Sequence, residues 1–91
     1  MRVRWTPAAA ADLQSISDYL EAHHPRYHGP TMRKLYGAIR ELKQWPGLGR
    51  PGRVPDTREL LFPPMPYVVV YRVREQRIEV LRVYHAAQDR P

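Results

Sequence analysis

Residues 57–85 read TRELLFPPMPYVVVYRVREQRIEVLRVYH, and this stretch decides the fold. Its apolar runs are split by prolines and by the polar Arg74, Glu75 and Gln76, the pattern of a three-stranded antiparallel meander. Residues 67–73 are rich in valine and tyrosine with no breaker among them, which predicts a central strand, and residues 77–84 follow as its hairpin partner. A two-residue turn at Glu75 and Gln76 sets Arg72 opposite Glu79, Val70 opposite Leu81 and Val68 opposite Val83. One face is then apolar and closed by an ion pair, while the other carries Tyr67, Val69, Tyr71, Arg82 and Tyr84. The first face is expected to be core and the second a contact surface. Neither turn residue is the Gly or Asn that a tight hairpin favours, and a slip of one residue would exchange the faces.

Upstream, Val3 and Trp5 alternate with Arg2 and Arg4, which fits a short strand able to join the same sheet. Thr6 is placed to cap a helix whose first turn holds Pro7. Ala9, Leu13, Ile16 and Leu20 form one apolar stripe along it, and Pro25 ends it near His23 and His24. A second helix carries Met32, Leu35, Ile39 and Leu42 on one face and is terminated by Pro46 and Gly47. Pro25 could start it, but Gly29 and Pro30 would then lie inside it, so the cautious start is Pro30. Two amphipathic helices beside a small sheet cover each other and one sheet face. The expected fold class is α+β: a small antiparallel sheet with two N-terminal helices on one face, in the order β-α-α-β-β-β. Between helix and meander, residues 45–56 form a breaker-rich loop, WPGLGRPGRVPD, which carries Arg50 and Arg53 and reads first of all as a connector.

Ninety-one residues make one small domain, 1–91, able to bury about two thirds of the surface of its unfolded chain. Cysteine is absent, so disulfides, thiolate metal sites and cysteine nucleophiles are excluded, and a cytoplasmic location is expected. The opening MRVRWTPAAAADLQ offers only four alanines where a secretion signal needs a longer apolar run, and no segment is long enough to span a membrane. The formal net charge is +6, carried by thirteen Arg and two Lys against nine acids, which suits carboxylate or phosphate partners held by bidentate contacts.

His23, His24 and His28 cluster at the helix junction, but their spacing fits no standard metal site, and they read as exposed polar residues; no metal and no cofactor are expected. There is no Gly-rich phosphate loop, no Gly-x-Ser-x-Gly elbow and no His-Glu-x-x-His helix. The remaining catalytic possibility is a metal-free ribonuclease, with His85 as base or acid and Arg58 and Arg82 holding the phosphate. Against it stands the structural reading: Arg72 pairs with Glu79, Arg58 with Glu59 or a neighbour, and His85 ends a strand.

In order and spacing, WTPAAAADLQSISDYL, WPGLGRPGRV, TREL, PYVVVYRV and IEVLRVYHAAQDRP resemble the RelE/ParE superfamily of toxins from type II toxin-antitoxin modules, nearly end to end. The resemblance implies the same β-α-α-β-β-β order, a cytoplasmic bacterial location, and a cognate antitoxin that wraps a disordered segment around the toxin and forms an oligomer with it. Members of the RelE branch cleave messenger RNA in the ribosome and typically carry Arg where PYVVVY has Val68, basic residues where this chain has Ala86 and Ala87, and lysines in the loop that here has none. The chain therefore looks more like the ParE branch, whose members arrest growth by binding DNA gyrase rather than by catalysis. On that reading Tyr67, Tyr71, Arg82, Tyr84, Arg50 and Arg53 are the partner-binding residues. The alternatives are a RelE-like endonuclease acting on the ribosome and mRNA, with His85, Arg58 and Arg82 as its catalytic residues, and a non-toxic basic RNA-binding or regulatory module.

Overall fold

The computed structural model describes residues 1–61 and 63–86. It contains β1 (Arg2–Trp5), α1 (Pro7–His23), α2 (Pro25–Glu41), β2 (Arg50–Pro51), β3 (Arg58–Leu61), β4 (Tyr67–Arg74) and β5 (Arg77–His85). The start of α1 follows from its sequence. Thr6 is extended, its Oγ1 accepts from the Ala9 N–H at 3.1 Å, and Pro7 occupies the first helical position, where no N–H is needed.

The cautious start of the second helix at Pro30 is corrected: α2 begins at Pro25 and runs through Gly29 and Pro30. A proline inside a helix costs about 3 kcal/mol. Leu35, Ile39 and Leu42 are almost wholly buried on the face that this helix presents to the core. Each contributes about 1.5–3 kcal/mol, so burial outweighs the local penalty. The helix then tightens, with the N–H groups of Leu42, Lys43 and Gln44 bonding to the carbonyls of Ile39, Arg40 and Glu41 before Pro46.

The five strands lie in the order β1-β5-β4-β3-β2. Two features differ from the expected sheet. β1 runs parallel to β5, so the sheet is mixed, and the loop contributes the two-residue strand β2 against β3. Past Val80, where β1 ends, α1 takes over the edge of β5. The Thr6 N–H bonds to Val80 O at 3.1 Å, Thr6 Oγ1 donates to Leu81 O at 2.9 Å, and Asp12 Oδ2 accepts from the Val83 N–H at 2.9 Å. An otherwise open row of strand groups is thereby satisfied.

The hairpin register holds at its tip, with Arg72 facing Glu79 and Tyr71 facing Val80, and then shifts. A bulge between Val70 and Tyr71 makes Leu81 the extra residue, so Val70 faces Arg82, Val69 faces Val83 and Val68 faces Tyr84. The expected faces are also exchanged. Tyr67, Val69 and Tyr71 are buried under the helices with Ile78, Val80, Val83 and Leu60, so the aromatic face is core rather than contact surface. The opposite, open face carries Val68, Val70, Arg72 and Arg74 of β4 beside Arg77, Glu79, Arg82 and Tyr84 of β5. Both faces of β4 are rich in valine, so alternation alone did not choose between them.

At the tip, Glu75 and Gln76 adopt φ of 53° and 59°, the left-handed conformation that a two-residue turn of this type demands and that Asn-Gly adopts with least strain. Glu75→Asn with Gln76→Gly is expected to raise unfolding stability by about 1 kcal/mol, measured by urea denaturation. An unchanged or lower midpoint would contradict this assignment of strain.

Candidate partner-binding site

The loop between α2 and β3 is fastened to the sheet by a side chain of the central strand. Tyr71 is fully buried, yet its hydroxyl reaches the loop, donating to Pro46 O at 2.7 Å and accepting from the Gly49 N–H at 2.8 Å. Burial raises the Tyr71 pKa, partly offset by the bond from Gly49 and the nearby charge of Arg58, so the hydroxyl stays protonated and can donate. Arg58 Nη1 donates to Gly49 O at 2.7 Å, and Arg50 pairs with Glu59 at 3.2 Å. Of the expected partners of Arg58, Glu59 or a neighbour, Glu59 pairs instead with Arg50, and Arg58 bonds the loop carbonyl of Gly49. So fixed, the loop presents Trp45, Leu48 and Val54, each more than half exposed, near Arg50 and Arg53. Exposed large apolar side chains beside arginines are the composition of a protein-binding surface.

Grooves of mixed lining border the helices. One, of about 320 Å³, is lined by Trp5, Leu13, Ser17, Met32 and Tyr36; a second, of about 300 Å³, adjoins it at Trp5 and Tyr36 and continues along Val3 and Ile39 to Arg40 and Lys43. On the other side of α1 a larger cleft, of about 620 Å³, is lined by Ile16, Tyr19, Leu20, His24, Tyr67 and His85. Here Tyr67 packs edge-on to His85 at 5.7 Å. His28 bonds Ser17 across the helix pair at 2.7 Å, and no group of three or more potential metal-binding side chains occurs among the described residues.

The three residues considered for ribonuclease chemistry are not brought together. Arg58 pairs with Tyr71 on one side of β4 and His85 with Tyr67 on the other, which separates their backbones by roughly 16 Å. Arg82 is bound elsewhere: its Nε and Nη2 grip the two carboxylate oxygens of Asp12 on α1 at 2.7 and 3.0 Å, and its guanidinium lies over the Tyr84 ring at 4.8 Å. The bond to Asp12 stabilises the cation and raises its pKa further. Of the residues considered for partner contact, Tyr71 is sealed in the core, Tyr67 shows only an edge in the cleft, and Arg82, Tyr84, Arg50 and Arg53 keep surface exposure.

Glu79, nearly buried on the open face, accepts from Arg72 Nε and lies 4.0 Å from Arg4. Its carboxyl is held below the usual range, first by the hydrogen bond from Arg72 and further by the charges of Arg72, Arg4 and Arg74, against the opposing effect of burial. A depressed folded-state pKa stabilises the fold above the unfolded pKa, and that contribution is lost as pH falls through the folded value. Glu79→Gln is therefore expected to be less stable than the parent at pH 7 and to approach it below the usual carboxylate range. Thermal melts across that window check this, and a gap that stays constant with pH would contradict it.

The architecture is a small mixed sheet with a helix hairpin on one face and a row of arginines on the other, and comparison with known proteins gives the class of protein to which it belongs. Residues 3–90 match the family described as ParE toxin of type II toxin-antitoxin system, parDE. The chain is 37% identical to a putative toxin, Y4kP, of Sinorhizobium fredii over 99% of this chain and 93% of that one. It is 34% identical to toxin RelE2 of Caulobacter vibrioides over 96% and 97%. It also superposes on a chain of the chromosomal ParDE toxin-antitoxin system from P. aeruginosa with a TM-score of 0.83 at 31% identity, covering 93% and 95% of the two chains. The chain belongs to the ParE toxin family of the RelE/ParE superfamily and is the toxin of a type II toxin-antitoxin system.

Proposed function

We propose that this toxin arrests growth by binding and inhibiting DNA gyrase, and that a cognate antitoxin neutralises it. The observation that carries this reading is the dispersal of Arg58, Arg82 and His85, with both arginines bound to other groups of the fold: no acid, base and phosphate clamp converge among the described residues. Such a surface is built to bind. The fixed loop with Trp45, Leu48, Val54, Arg50 and Arg53 supplies the contact for the target. The grooves meeting at Trp5 and Tyr36 suit an amphipathic segment of an antitoxin, whose acidic residues would meet Arg40 and Lys43 at their far end. Similarity to the P. aeruginosa ParDE chain supports the same reading. Similarity to RelE2 of C. vibrioides keeps a ribosome-dependent nuclease as the second reading.

Purified gyrase with supercoiled or relaxed plasmid tests the proposal. Added toxin is expected to inhibit supercoiling or trap cleaved DNA, and prior addition of the antitoxin to abolish the effect. Unimpaired gyrase, together with mRNA cleavage in a reconstituted translation reaction, would reverse the assignment.

A further inference from the structure

We propose that the hairpin end of the open sheet face is a docking site for the phosphate backbone of duplex nucleic acid. The proposal is independent of gyrase. It rests on the order that the strand registers impose. Arg2 of β1, Arg77 of β5 and Arg74 of β4 are consecutive partners across three strands, and Arg4, Glu79 and Arg72 make the next row. Ile78 between the rows is buried under the helices, so the two rows share the open face.

Like charges directly opposite one another destabilise a sheet, yet three arginines occupy a single row here. The acids in reach are already engaged: Glu79 by Arg72 and Arg4, and the exposed Glu75 by Arg77 at 2.9 Å. Arg2 and Arg74 make no ion pair among the described residues, and the shielded Arg77 Nε has no acceptor there. Five arginines against two acids leave this end of the sheet strongly positive. A cost that the fold itself does not recover is the mark of a functional surface.

The chemistry of the patch names its ligand. The backbone positions that carry these arginines are about 5 Å apart across strands and about 7 Å apart along them, and guanidinium groups borne at that spacing offer paired donors suited to phosphate oxygens. Among the described residues, the two rows themselves contain no aromatic side chain. Tyr84, on the same face, lies roughly 20 Å from the hairpin tip, so the described residues of the patch offer no platform on which an unpaired base could stack. A backbone reader without stacking favours a duplex and is indifferent to sequence.

Fluorescence anisotropy with short labelled DNA and RNA duplexes of mixed sequence, titrated with the full chain at several salt concentrations, tests the site. Arg2→Gln/Arg74→Gln/Arg77→Gln is expected to weaken duplex binding by about tenfold or more and to reduce the slope of log affinity against log salt by about 2–3. Arg26→Gln/Arg33→Gln/Lys34→Gln removes the same charge from exposed positions on α2 and is expected to change either value little. Should the triple variant misfold, Arg74→Gln alone is expected to lower the slope by about 1. A measurable affinity for either duplex that depends on the patch supports the proposal. Absence of duplex binding, equal losses in the two triple variants, tighter binding of a single strand, or displacement of duplex by a weaker concentration of polyglutamate than of unlabelled duplex would overturn it.

Discussion

Gly49→Ala is expected to destabilise the protein by about 2–3 kcal/mol and to release the loop that carries Trp45 and Leu48. A Cβ at this position would lie 2.8 Å from both Cε1 and the hydroxyl of Tyr71 and 3.0 Å from Glu59 O. The backbone there is closed in by the core of the sheet, since Tyr71 is held by its own ring packing and cannot swing away. Relief must come from the loop, at the expense of the bonds from Gly49 N to Tyr71 and from Arg58 to Gly49 O. Tyr71→Phe keeps the ring and removes the hydroxyl, leaving the Gly49 N–H and the Pro46 carbonyl without their partner at a cost of about 1–3 kcal/mol. Urea denaturation of both variants measures these costs. Because both act on the same fastening, their double variant is expected to lose less than the two single losses together. Full additivity would show that the loop is held by something else.

The second large effect is expected at Asp12. Its carboxylate accepts from Arg82 Nε, from Arg82 Nη2 and from the Val83 N–H, joining α1 to the strand edge that β1 leaves uncovered. Asp12→Ala strands a half-buried guanidinium and a strand N–H at once. The loss is expected to be about 2–3 kcal/mol, below that of a fully buried pair because Arg82 retains contact with solvent. Arg82→Lys is expected to restore little of an Arg82→Ala deficit, because an ammonium cannot reproduce the two-point grip. Chemical denaturation of the Asp12 and Arg82 single and double variants reads the coupling, and a coupling near zero would refute the joint. The cost to toxicity is separable: a variant that folds less well but still arrests growth when overproduced would mark Arg82 as structural rather than target-contacting.

The parts of the fold written in local chemistry were legible. Thr6 followed by Pro7 announces a helix start, the stripe from Ala9 to Leu20 gives its buried side, and the run from Tyr67 through the turn to residue 84 gives the hairpin with Arg72 opposite Glu79. What escaped is non-local. The alternation in Val3 and Trp5 marks a strand without saying that it pairs parallel to β5, which depends on where the helix hairpin returns the chain. Pro30 obeys its local rule in a peptide, but the buried Leu35, Ile39 and Leu42 override it here. The bulge at Leu81 leaves no sequence signal, and it shifted the expected pairs beyond it. Tyr71 reads as a surface aromatic because valines occupy both faces of β4, and the hydrogen-bond partners that anchor it lie more than twenty residues away in the loop.

The candidate site shows the same division. Arg50 and Arg53 are both exposed as a connector's arginines would be, but Arg50 belongs to the short strand β2 and only Arg53 lies in irregular chain. Arg58 and Arg82 could not be sorted from sequence into fold and function, and the structure binds both internally. One missed residue had left a trace. Asp12 falls three positions after Ala9 and four before Ile16, on the apolar stripe of α1, where a carboxylate needs a cation and a donor to be tolerated. The toxin reading itself came from the order of several weak segments, and the match across residues 3–90 bears out that superfamily assignment.

The arrangement couples stability to binding in a simple way. Tyr71, Arg58 and Glu59 hold a loop whose apolar side chains are exposed, so the proposed contact surface would be ordered before a partner arrives. The grooves along the helices lie on other elements, so the proposed antitoxin contact would leave the loop in place.

The most direct measurement is controlled expression of the chain in a bacterium, with incorporation of labelled precursors into DNA and into protein followed from the moment growth slows, beside His85→Ala. We expect DNA synthesis to fall first, and equally in both. An early fall in protein synthesis that His85→Ala relieves would contradict gyrase binding and make the protein a ribonuclease.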